Sequence, residues 1–365
     1  MFSFLKSAFG ESYLGCDIGT TSIKVVELAR GSVKPILKNY ALLESFGHLE
    51  RVNDAIQTSS LKIVDTAIAE LLREILTKAK FRTKDVIASV PAFAAFITIL
   101  DLPDMSQEDT AKTISFQIRQ HIPLPLSEVT IDWIRVGTFE DEKGFTKQQI
   151  VLVSVPNDYI RKYQAIFSSA GLRLKALEVE SLSLVRALAE YTSSPTLILD
   201  IGSHSTNIVI VHNGFLRSSL QTDFGGSSLT QAIAKGLGIG MRRAEDLKRQ
   251  KGLLARGGEY ELSTLTLPFL DVILHEAKRV QAQYEKPDAM GTLQNKLAHV
   301  LLVGGGATLL GIEQYVTEAM GVPATIGNTL ASIEYSPKLA LVQQELGPKF
   351  AVAIGLGLKG FEGTQ

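Results

Sequence analysis

Hydrophobic and polar positions follow one another along the chain with two different periods. Residues 13–28 hold two apolar runs on either side of a short polar turn, which predicts a strand, a tight turn and a second strand. Residues 61–78 carry apolar side chains three or four positions apart, the spacing of an amphipathic helix. Segments of both kinds continue to the end of the chain, with further helices predicted at 178–191 and 267–284. The pattern therefore predicts an α/β protein with mixed sheets.

One supersecondary unit occurs twice. The stretches LGCDIGTTSIKVVEL at 14–28 and LILDIGSHSTNIVIV at 197–211 both place an acidic residue and a glycine between two apolar runs. Alignment of the acidic residues pairs Asp17 with Asp200, Gly19 with Gly202, Thr20 with Ser203, and Ser22 with Ser205. Two copies of one unit predict two related lobes.

The turns of this repeat have the composition of a phosphate-binding site. Glycine permits positive φ and a close approach of a ligand, and consecutive N–H groups in such a turn bind phosphate oxygens. Uncharged hydroxyl donors surround both glycines, at Thr20, Thr21, Ser22, Ser203, Ser205 and Thr206. Asp17 and Asp200 end their strands, where a carboxylate can hold Mg²⁺ beside substrate phosphates. A single turn of this kind is common in ordinary hairpins, so the prediction depends on the second copy.

A third glycine element lies near the end of the chain. The stretch LLVGGGATLLGI at 301–312 places Gly304, Gly305 and Gly306 between an apolar strand and a helix. With the two hairpins in this order, the chain resembles the actin-like ATPase superfamily over nearly its whole length. The resemblance implies that both hairpins, together with Lys24, bind the phosphates of ATP with Mg²⁺. It also implies that the glycine turn packs against adenosine.

Two further stretches are similar to elements of that superfamily. LEVESLSLVRAL at 177–188 holds Glu180 where the superfamily has a polar side chain that reaches the attacking water. A solvated helix residue is the alternative interpretation of Glu180. RRAEDLKRQKG at 242–252 resembles the helix that approaches ribose and adenine, which implies that role for Glu245 and Lys248. A charged surface helix is the alternative there.

Residues 96–173 are expected to form an inserted small α/β subdomain. The insert resembles the subdomain shared by the type IV pilus assembly protein family PilM and the division protein FtsA. Its PilM-like motifs are Leu102, Pro103 and Met105, IPLP at 122–125, Asp132, and AGL at 170–172. The implied fold is α/β, an actin-like (ribonuclease H-like) two-lobed ATPase fold. Its first lobe is expected at 12–95, 174–195 and 337–360, and its second lobe at 196–336.

Resemblance to that family implies a cytoplasmic ATP-binding scaffold of type IV pilus assembly, with at most slow ATPase activity. Its implied partner is the N-terminal cytoplasmic peptide of PilN, bound in a groove between the first lobe and the insert. That contact would hold the protein at the inner membrane within the pilus assembly complex, and self-association is a further expectation. The alternatives are an FtsA-like division protein and a small-molecule kinase. FtsA is expected to end in a membrane-binding helix, and a kinase to carry a catalytic aspartate base; neither is identifiable in the sequence.

The amino-acid composition argues against several classes of partner and site. The 365 residues are 45% hydrophobic and 21% charged, with a formal net charge of −1 and no block of basic residues, so no nucleic-acid partner is expected. Cys16 is the only cysteine, which excludes an intramolecular disulfide and a thiolate zinc site. No apolar run reaches about 18 residues, so we expect no membrane-spanning helix.

Overall fold

The computed structural model describes residues 12–44, 62–118, 122, 124–141, 143–253, 260–286 and 296–362, with the backbone alone for 62–65, 260 and 261. The strands are β1 (Ser12–Ile18), β2 (Ser22–Ala29), β3 (Ile36–Glu44), β4 (Asp85–Val90), β5 (Phe96–Pro103), β6 (Val129–Glu140), β7 (Thr146–Pro156), β8 (Arg173–Val179), β9 (Thr196–Ile201), β10 (Thr206–His212), β11 (Phe215–Thr222), β12 (His299–Val303) and β13 (Ala324–Ile326). The helices are α1 (Lys62–Ala79), α2 (Gln107–Gln117), α3 (Asn157–Ser169), α4 (Glu180–Ala187), α5 (Gly226–Leu237), α6 (Met241–Lys251), α7 (Tyr260–Tyr284), α8 (Ile312–Met320), α9 (Gln343–Lys349) and α10 (Ala351–Lys359).

Two five-stranded sheets share one topology. Their strand orders are β3-β2-β1-β4-β8 and β11-β10-β9-β12-β13. In each sheet three antiparallel strands are followed by two parallel ones. The central strands β1, β9 and β12 are almost entirely buried, as strands with both faces covered must be. The repeat predicted from two short turns therefore extends over whole sheets, and the predicted two-lobed α/β fold is confirmed. The exact lobe boundaries stay a prediction.

A three-stranded sheet with order β5-β7-β6 follows β4 in the chain. Helix α2 covers one of its faces and begins as predicted near Ser106, whose hydroxyl accepts a hydrogen bond from the Asp109 N–H (3.1 Å). Ile131 and Trp133 of β6 pack with Ile114 of that helix. The opposite face joins a core that also contains side chains of β9, β10 and α4. Period-two alternation along β6 thus gives the sheet two different packing partners.

Helices α4 and α10 lie between the two large sheets and approach each other closely. A Cβ atom added to Gly355 of α10 would lie 2.0 Å from the Ser183 carbonyl oxygen of α4. A Cβ on Gly15 of β1 would lie 1.9 Å from the Ala353 carbonyl oxygen of α10. Backbone therefore packs on backbone from β1 through α10 to α4, which fixes the strand that carries Asp17 relative to the helix that carries Glu180.

Several elements differ from the sequence-based expectation. β8 was not predicted because its short sequence RLKALEV mixes charged and apolar residues, and the helix predicted at 178–191 begins only at Glu180 and ends at Ala187. β3 was also not predicted. α7 begins at Tyr260 and continues through Pro268, instead of starting near 267. Buried Leu262 and Leu270 lie on either side of that proline, so tertiary packing outweighs the missing backbone donor.

We expect Gly355→Ala to lower the free energy of unfolding by about 2–3 kcal/mol, measured by urea denaturation. Helix propensity alone would make the change stabilising by about 1 kcal/mol, but the added methyl collides with backbone that cannot rotate away. Gly305→Ala is the control, because a Cβ there meets nothing within 4 Å. Equal stability changes in the two variants would contradict the close packing of α10 on α4.

Candidate functional site

Both repeated hairpins close with the same backbone hydrogen bond. The Gly19 N–H donates to the Ser22 carbonyl (2.9 Å), and the Gly202 N–H donates to the Ser205 carbonyl (2.9 Å). The second turn is additionally held by α5, whose Gly226 N–H donates to the Gly202 carbonyl at 2.9 Å. The sequence repeat is thus also a repeat of backbone geometry.

The two turns meet tip to tip across one cleft. His204 Nδ1 lies 3.1 Å from Thr20 Oγ1. The cleft encloses about 80 Å³. Its lining includes most of the predicted residues, namely Asp17, Gly19, Thr20, Thr21, Ser22, Lys24, Glu180, Asp200, Gly202, Ser203, Ser205 and Gly304. Residues separated by more than 180 positions in sequence therefore form one site, which we call the interlobe cleft.

Asp17 is fixed from two sides at the end of β1. Lys24 Nζ lies 3.0 Å from its Oδ2, and the Ser89 hydroxyl donates to its Oδ1 (3.0 Å). Burial by itself would lower the pKa of Lys24, but the carboxylates of Asp17, Asp200 and Glu180 outweigh it and raise that pKa. Lys24 is therefore a permanent cation at the base of the cleft.

Glu180 and Asp200 share one amide donor. Asn207 Nδ2 donates to Glu180 Oε2 (2.7 Å) and lies 3.4 Å from Asp200 Oδ2. Burial and then the charges of Asp17 and Asp200 raise the pKa of Glu180 to about 8. Burial also raises the pKa of Asp200 to about 6, although Lys24 acts in the opposite direction. Glu180 is therefore mainly protonated at neutral pH, and Asp200 is mainly ionised.

Two buried acceptors in the cleft have no hydrogen-bond partner among the described residues. They are Asn207 Oδ1 and Gln221 Oε1. Such atoms usually find a donor, and each unpaired one costs about 1–3 kcal/mol. Carboxylates and amide oxygens are suitable ligands for a hydrated magnesium ion, and Lys24 with the turn amides suits phosphate oxygens. The residues present thus fit a metal-bound nucleotide.

The third glycine element packs directly behind Asp200. Gly304 has φ +82°, and a Cβ there would lie 2.5 Å from Asp200 Oδ1. A Cβ on Gly306 would lie 2.3 Å from the Ile201 side chain, whereas Gly305 faces open space. Two of the three glycines are therefore required by close packing against the end of β9.

Five predicted residues lie outside the lining of the cleft: Gly305 and Gly306 next to Gly304, and Thr206, Glu245 and Lys248. Thr206 is fully buried and its hydroxyl donates to the Phe224 carbonyl (2.7 Å). Glu245 and Lys248 form an ion pair on α6 (2.7 Å), and Lys248 Nζ also donates to the Gly226 carbonyl (2.9 Å). The pair therefore contacts the start of α5, next to the second turn.

The structure adds residues that the sequence motifs did not identify. Pro91, Phe93, Tyr163, Asn207, Gln221 and Lys349 all line the cleft. Most of them come from elements far apart in sequence, which no local motif can join. Only Asn207 could have been found from the sequence. Alignment of the two repeats pairs it with Lys24, which is a predicted site residue.

A second cavity, of about 320 Å³, lies between β6, β8 and α3. Both strands are the last of their sheets, and β6 turns the face that carries Thr130, Asp132 and Ile134 towards the cavity. We call this cavity the edge-strand groove. Its lining is Val90, Thr130, Asp132, Ile134, Val153, Val155, Ile160, Gln164, Leu174, Lys175, Ala176, Leu177, Glu178, Val179, Leu182 and Lys359.

The buried carboxylate of the groove is already compensated. Glu178 accepts hydrogen bonds from Arg186 Nη1 (2.6 Å) and Lys359 Nζ (2.8 Å). Burial by itself would raise the pKa of Glu178, but Arg186 and Lys359 outweigh it and lower that pKa. Asp132, by contrast, is exposed on the face of β6 that points to the groove.

We expect Glu180→Gln to raise the free energy of unfolding relative to the wild type, increasingly from about pH 5 to pH 8. Between the ordinary pKa of 4.5 and the folded value of about 8, unfolding releases a proton that the folded state retains. Rising pH therefore destabilises the wild type, by up to about 2–4 kcal/mol, and the variant lacks this loss. Urea denaturation across this range measures the difference. A difference that stays constant with pH, or an equal trend in the surface control Glu74→Gln, would contradict the assignment.

A family model described as type IV pilus assembly protein PilM matches residues 15–361. The solved PilM-PilN type IV pilus biogenesis complex is similar with a TM-score of 0.79 and 24% identity, covering 96% of this chain and 98% of that one. MreB5 of Spiroplasma citri bound to ADP is similar with a TM-score of 0.52 and 14% identity, covering 96% of each chain.

A cell division protein is also similar in sequence. FtsA of Enterococcus hirae is 24% identical over 387 residues, which cover 91% of this chain and 84% of FtsA. None of the helices in the described part of the chain has both the length and the apolar character needed to cross a membrane. The structural likenesses show the actin-like fold, and the family model decides between its branches. The chain belongs to the family of the type IV pilus assembly protein PilM, an actin-like protein of pilus assembly.

Proposed function

We propose that this protein is a cytoplasmic scaffold of type IV pilus assembly that binds Mg-ATP in the interlobe cleft and the N-terminal cytoplasmic peptide of PilN in the edge-strand groove. The observation that carries the proposal is the meeting of both hairpin turns, tip to tip, beside three carboxylates and a lysine. PilN would hold the protein at the inner membrane.

The two turns supply complementary contacts for a triphosphate. Backbone amides and hydroxyls of both turns would bind the phosphates, through Thr20, Thr21, Ser22, Ser203 and Ser205 around Gly19 and Gly202. Lys24 would add a fixed positive charge, and Asp17 and Asp200 would hold magnesium through water. The metal, when bound, neutralises phosphate charge. Gly304, Gly305 and Gly306, with Glu245 and Lys248 beside the second turn, would contact adenosine.

Nucleotide binding requires the cleft to open. Ligand pockets typically have volumes of roughly 300–1,000 Å³, whereas the cleft encloses about 80 Å³. The contact between Thr20 and His204 must therefore break to admit a triphosphate. A ligand that contacts both lobes shifts the equilibrium between closed and open states by its difference in affinity for the two.

Hydrolysis, if it occurs, would be slow. Glu180 is the side chain of α4 that lines the cleft, so the positioning of an attacking water would depend on this one carboxyl group. We therefore propose nucleotide binding, with Glu180 orienting water, as the main activity of the cleft.

The groove suits an extended peptide. The edge strand β8 lines the groove with the consecutive residues 174–179, which supports addition of a peptide to its sheet as a further strand. Ile134, Leu174 and Leu182 offer apolar contacts for alternate side chains, and Asp132 offers an acceptor. These features support a short segment of PilN as the occupant.

The cleft and the groove share a wall, which supports a coupling between nucleotide and peptide. Val90 lines the groove and Pro91 the cleft, and Glu178 lines the groove while Glu180 lines the cleft. On α3, Gln164 faces the groove beside Tyr163, which faces the cleft. We propose that nucleotide changes peptide affinity through this wall, and linkage then requires the reciprocal change.

We expect Asp200→Asn to weaken Mg-dependent ATP binding by at least about tenfold, because it removes the ionised carboxylate of the second lobe. Isothermal titration calorimetry with and without magnesium measures the effect. Asp271→Asn, the same substitution on the surface of α7, is the matched control and should bind as the wild type does. Unchanged affinity in Asp200→Asn would contradict the site.

We expect a synthetic N-terminal PilN peptide to bind the wild type in fluorescence anisotropy, and Ile134→Glu to weaken it by about tenfold or more. Ile134 is 40% exposed on β6, so the change should leave the fold intact while placing a charge in the groove. Phe145→Glu, at a 65% exposed position of the same sheet's hairpin, is the control. Equal binding by both variants would exclude the groove as the peptide site.

A further inference from the structure

The two copies of the hairpin differ at a position that faces the cleft. Lys24 is the ladder partner of Asp17 in β1–β2, and Asn207 is the ladder partner of Asp200 in β9–β10. The Lys24 ammonium contacts its aspartate at 3.0 Å, whereas the Asn207 amide lies 3.4 Å from its own. The first aspartate thus has a cation built into the hairpin, and the second has a neutral carboxamide at the equivalent position.

Asn207 is almost completely buried, yet half of its carboxamide is unused. It is 4% exposed, and its Nδ2 donates to Glu180 while its Oδ1 meets no donor in the described part of the chain. Gln221 lies directly opposite Asn207 in β10–β11 and lines the same cleft, with its Oε1 also buried and unpartnered. Two neighbouring acceptors without donors point to a ligand that donates hydrogen bonds.

We propose that Asn207 and Gln221 bind the water shell of one divalent cation, so that the second hairpin holds Mg²⁺ through water and not by direct coordination. This inference rests on the proposed nucleotide site. Mg²⁺ dehydrates reluctantly and usually keeps several waters, and those waters present only O–H donors to their surroundings. Asp200 and both carboxamide oxygens are acceptors, so all three match that shell. The carboxylate supplies the charge, and the carboxamides supply orientation without adding further repulsion.

The difference between Lys24 and Asn207 determines which of the two hairpins would hold the metal. A lysine at position 207 would compensate Asp200 as Lys24 compensates Asp17, and it would occupy the room of the cation. The carboxamide leaves the negative charge of Asp200 to an ion that arrives with the nucleotide. One lobe would thus hold phosphate with a fixed lysine, and the other with an exchangeable cation.

If the Asn207 amide group were flipped, ATP binding would depend on Asn207 in a different way. The Asn207 carbonyl would then accept from protonated Glu180, and its NH₂ group would face the cleft as a donor to phosphate. Removal of Asn207 would in that case weaken ATP binding with and without metal by the same factor. The water-shell proposal requires loss of the metal-dependent part only.

The test measures the metal increment, defined as the ratio of the ATP dissociation constant in EDTA to that in excess Mg²⁺. Competition against a fluorescent ATP analogue gives both constants. We expect Asn207→Leu to reduce the increment about tenfold and Gln221→Leu about threefold, with metal-free affinity nearly unchanged. Gln221→Leu leaves the hydrogen bonds of Glu180 in place, so it remains informative if Asn207→Leu folds poorly. Gln281→Leu on α7 is the matched control.

Two further measurements distinguish contacts through metal-bound water from direct coordination of the metal. Chromium(III)–ATP keeps its metal-bound waters because they exchange too slowly to be displaced, so it should bind within about threefold of Mg-ATP if protein contacts run through water. Asn207→Lys should bind ATP without metal and show an increment near one. Weak binding of chromium(III)–ATP, or unchanged increments in Asn207→Leu and Gln221→Leu, would overturn the proposal while leaving the nucleotide site intact. Absence of metal-dependent ATP binding by the wild type would instead overturn the proposed function as well.

Discussion

The site depends on one electrostatic constraint. The cleft where the two lobes meet encloses more negative than positive charge. Asp17, Asp200 and Glu180 face one small cleft, together with Lys24, which contacts Asp17, and Lys349, which pairs with Glu345. In a medium of low dielectric, such a group cannot be fully ionised without a further positive charge. A proton on Glu180, whose pKa is about 8, provides it in the closed state. An incoming cation would compete for the same role, so the net charge of the site would depend on whether the cation is bound.

The chain forms this site by using one supersecondary unit twice. Each lobe repeats one strand order and one turn closed by the same Gly-to-Ser hydrogen bond. Facing the two copies across a cleft converts two ordinary hairpins into a surface that can contact a ligand from both sides. The two copies differ in single side chains, as Lys24 and Asn207 illustrate at equivalent positions.

The sequence allowed prediction of what is local and repeated. Both turns, their aspartates and the glycines at 304–306 follow from short motifs, and the shared sheet topology follows from the repeat. Thr206 was assigned to phosphate by composition, yet strand alternation turns it inward, while Ser205 and Asn207 on either side of it face the cleft. Tyr163 and Phe93 reach the cleft from the insert and from the loop before it, which no spacing rule could foresee. β8 was not predicted because its short sequence mixes charged and apolar residues.

The point of insertion determines what lies next to the interlobe cleft. The inserted strands leave the first sheet after Val90 and return to it at β8, so the groove that they form with β8 necessarily backs onto the strand ends that carry the cleft. The end of β4 at Val90, α3 and the junction of β8 with α4 lie between the two cavities. Because α10 packs backbone to backbone on β1 and α4, this wall has little room to yield by side-chain adjustment alone. A displacement on one side of the wall must therefore be accommodated by movement of whole elements, which is the kind of motion that opening of the lobes also requires.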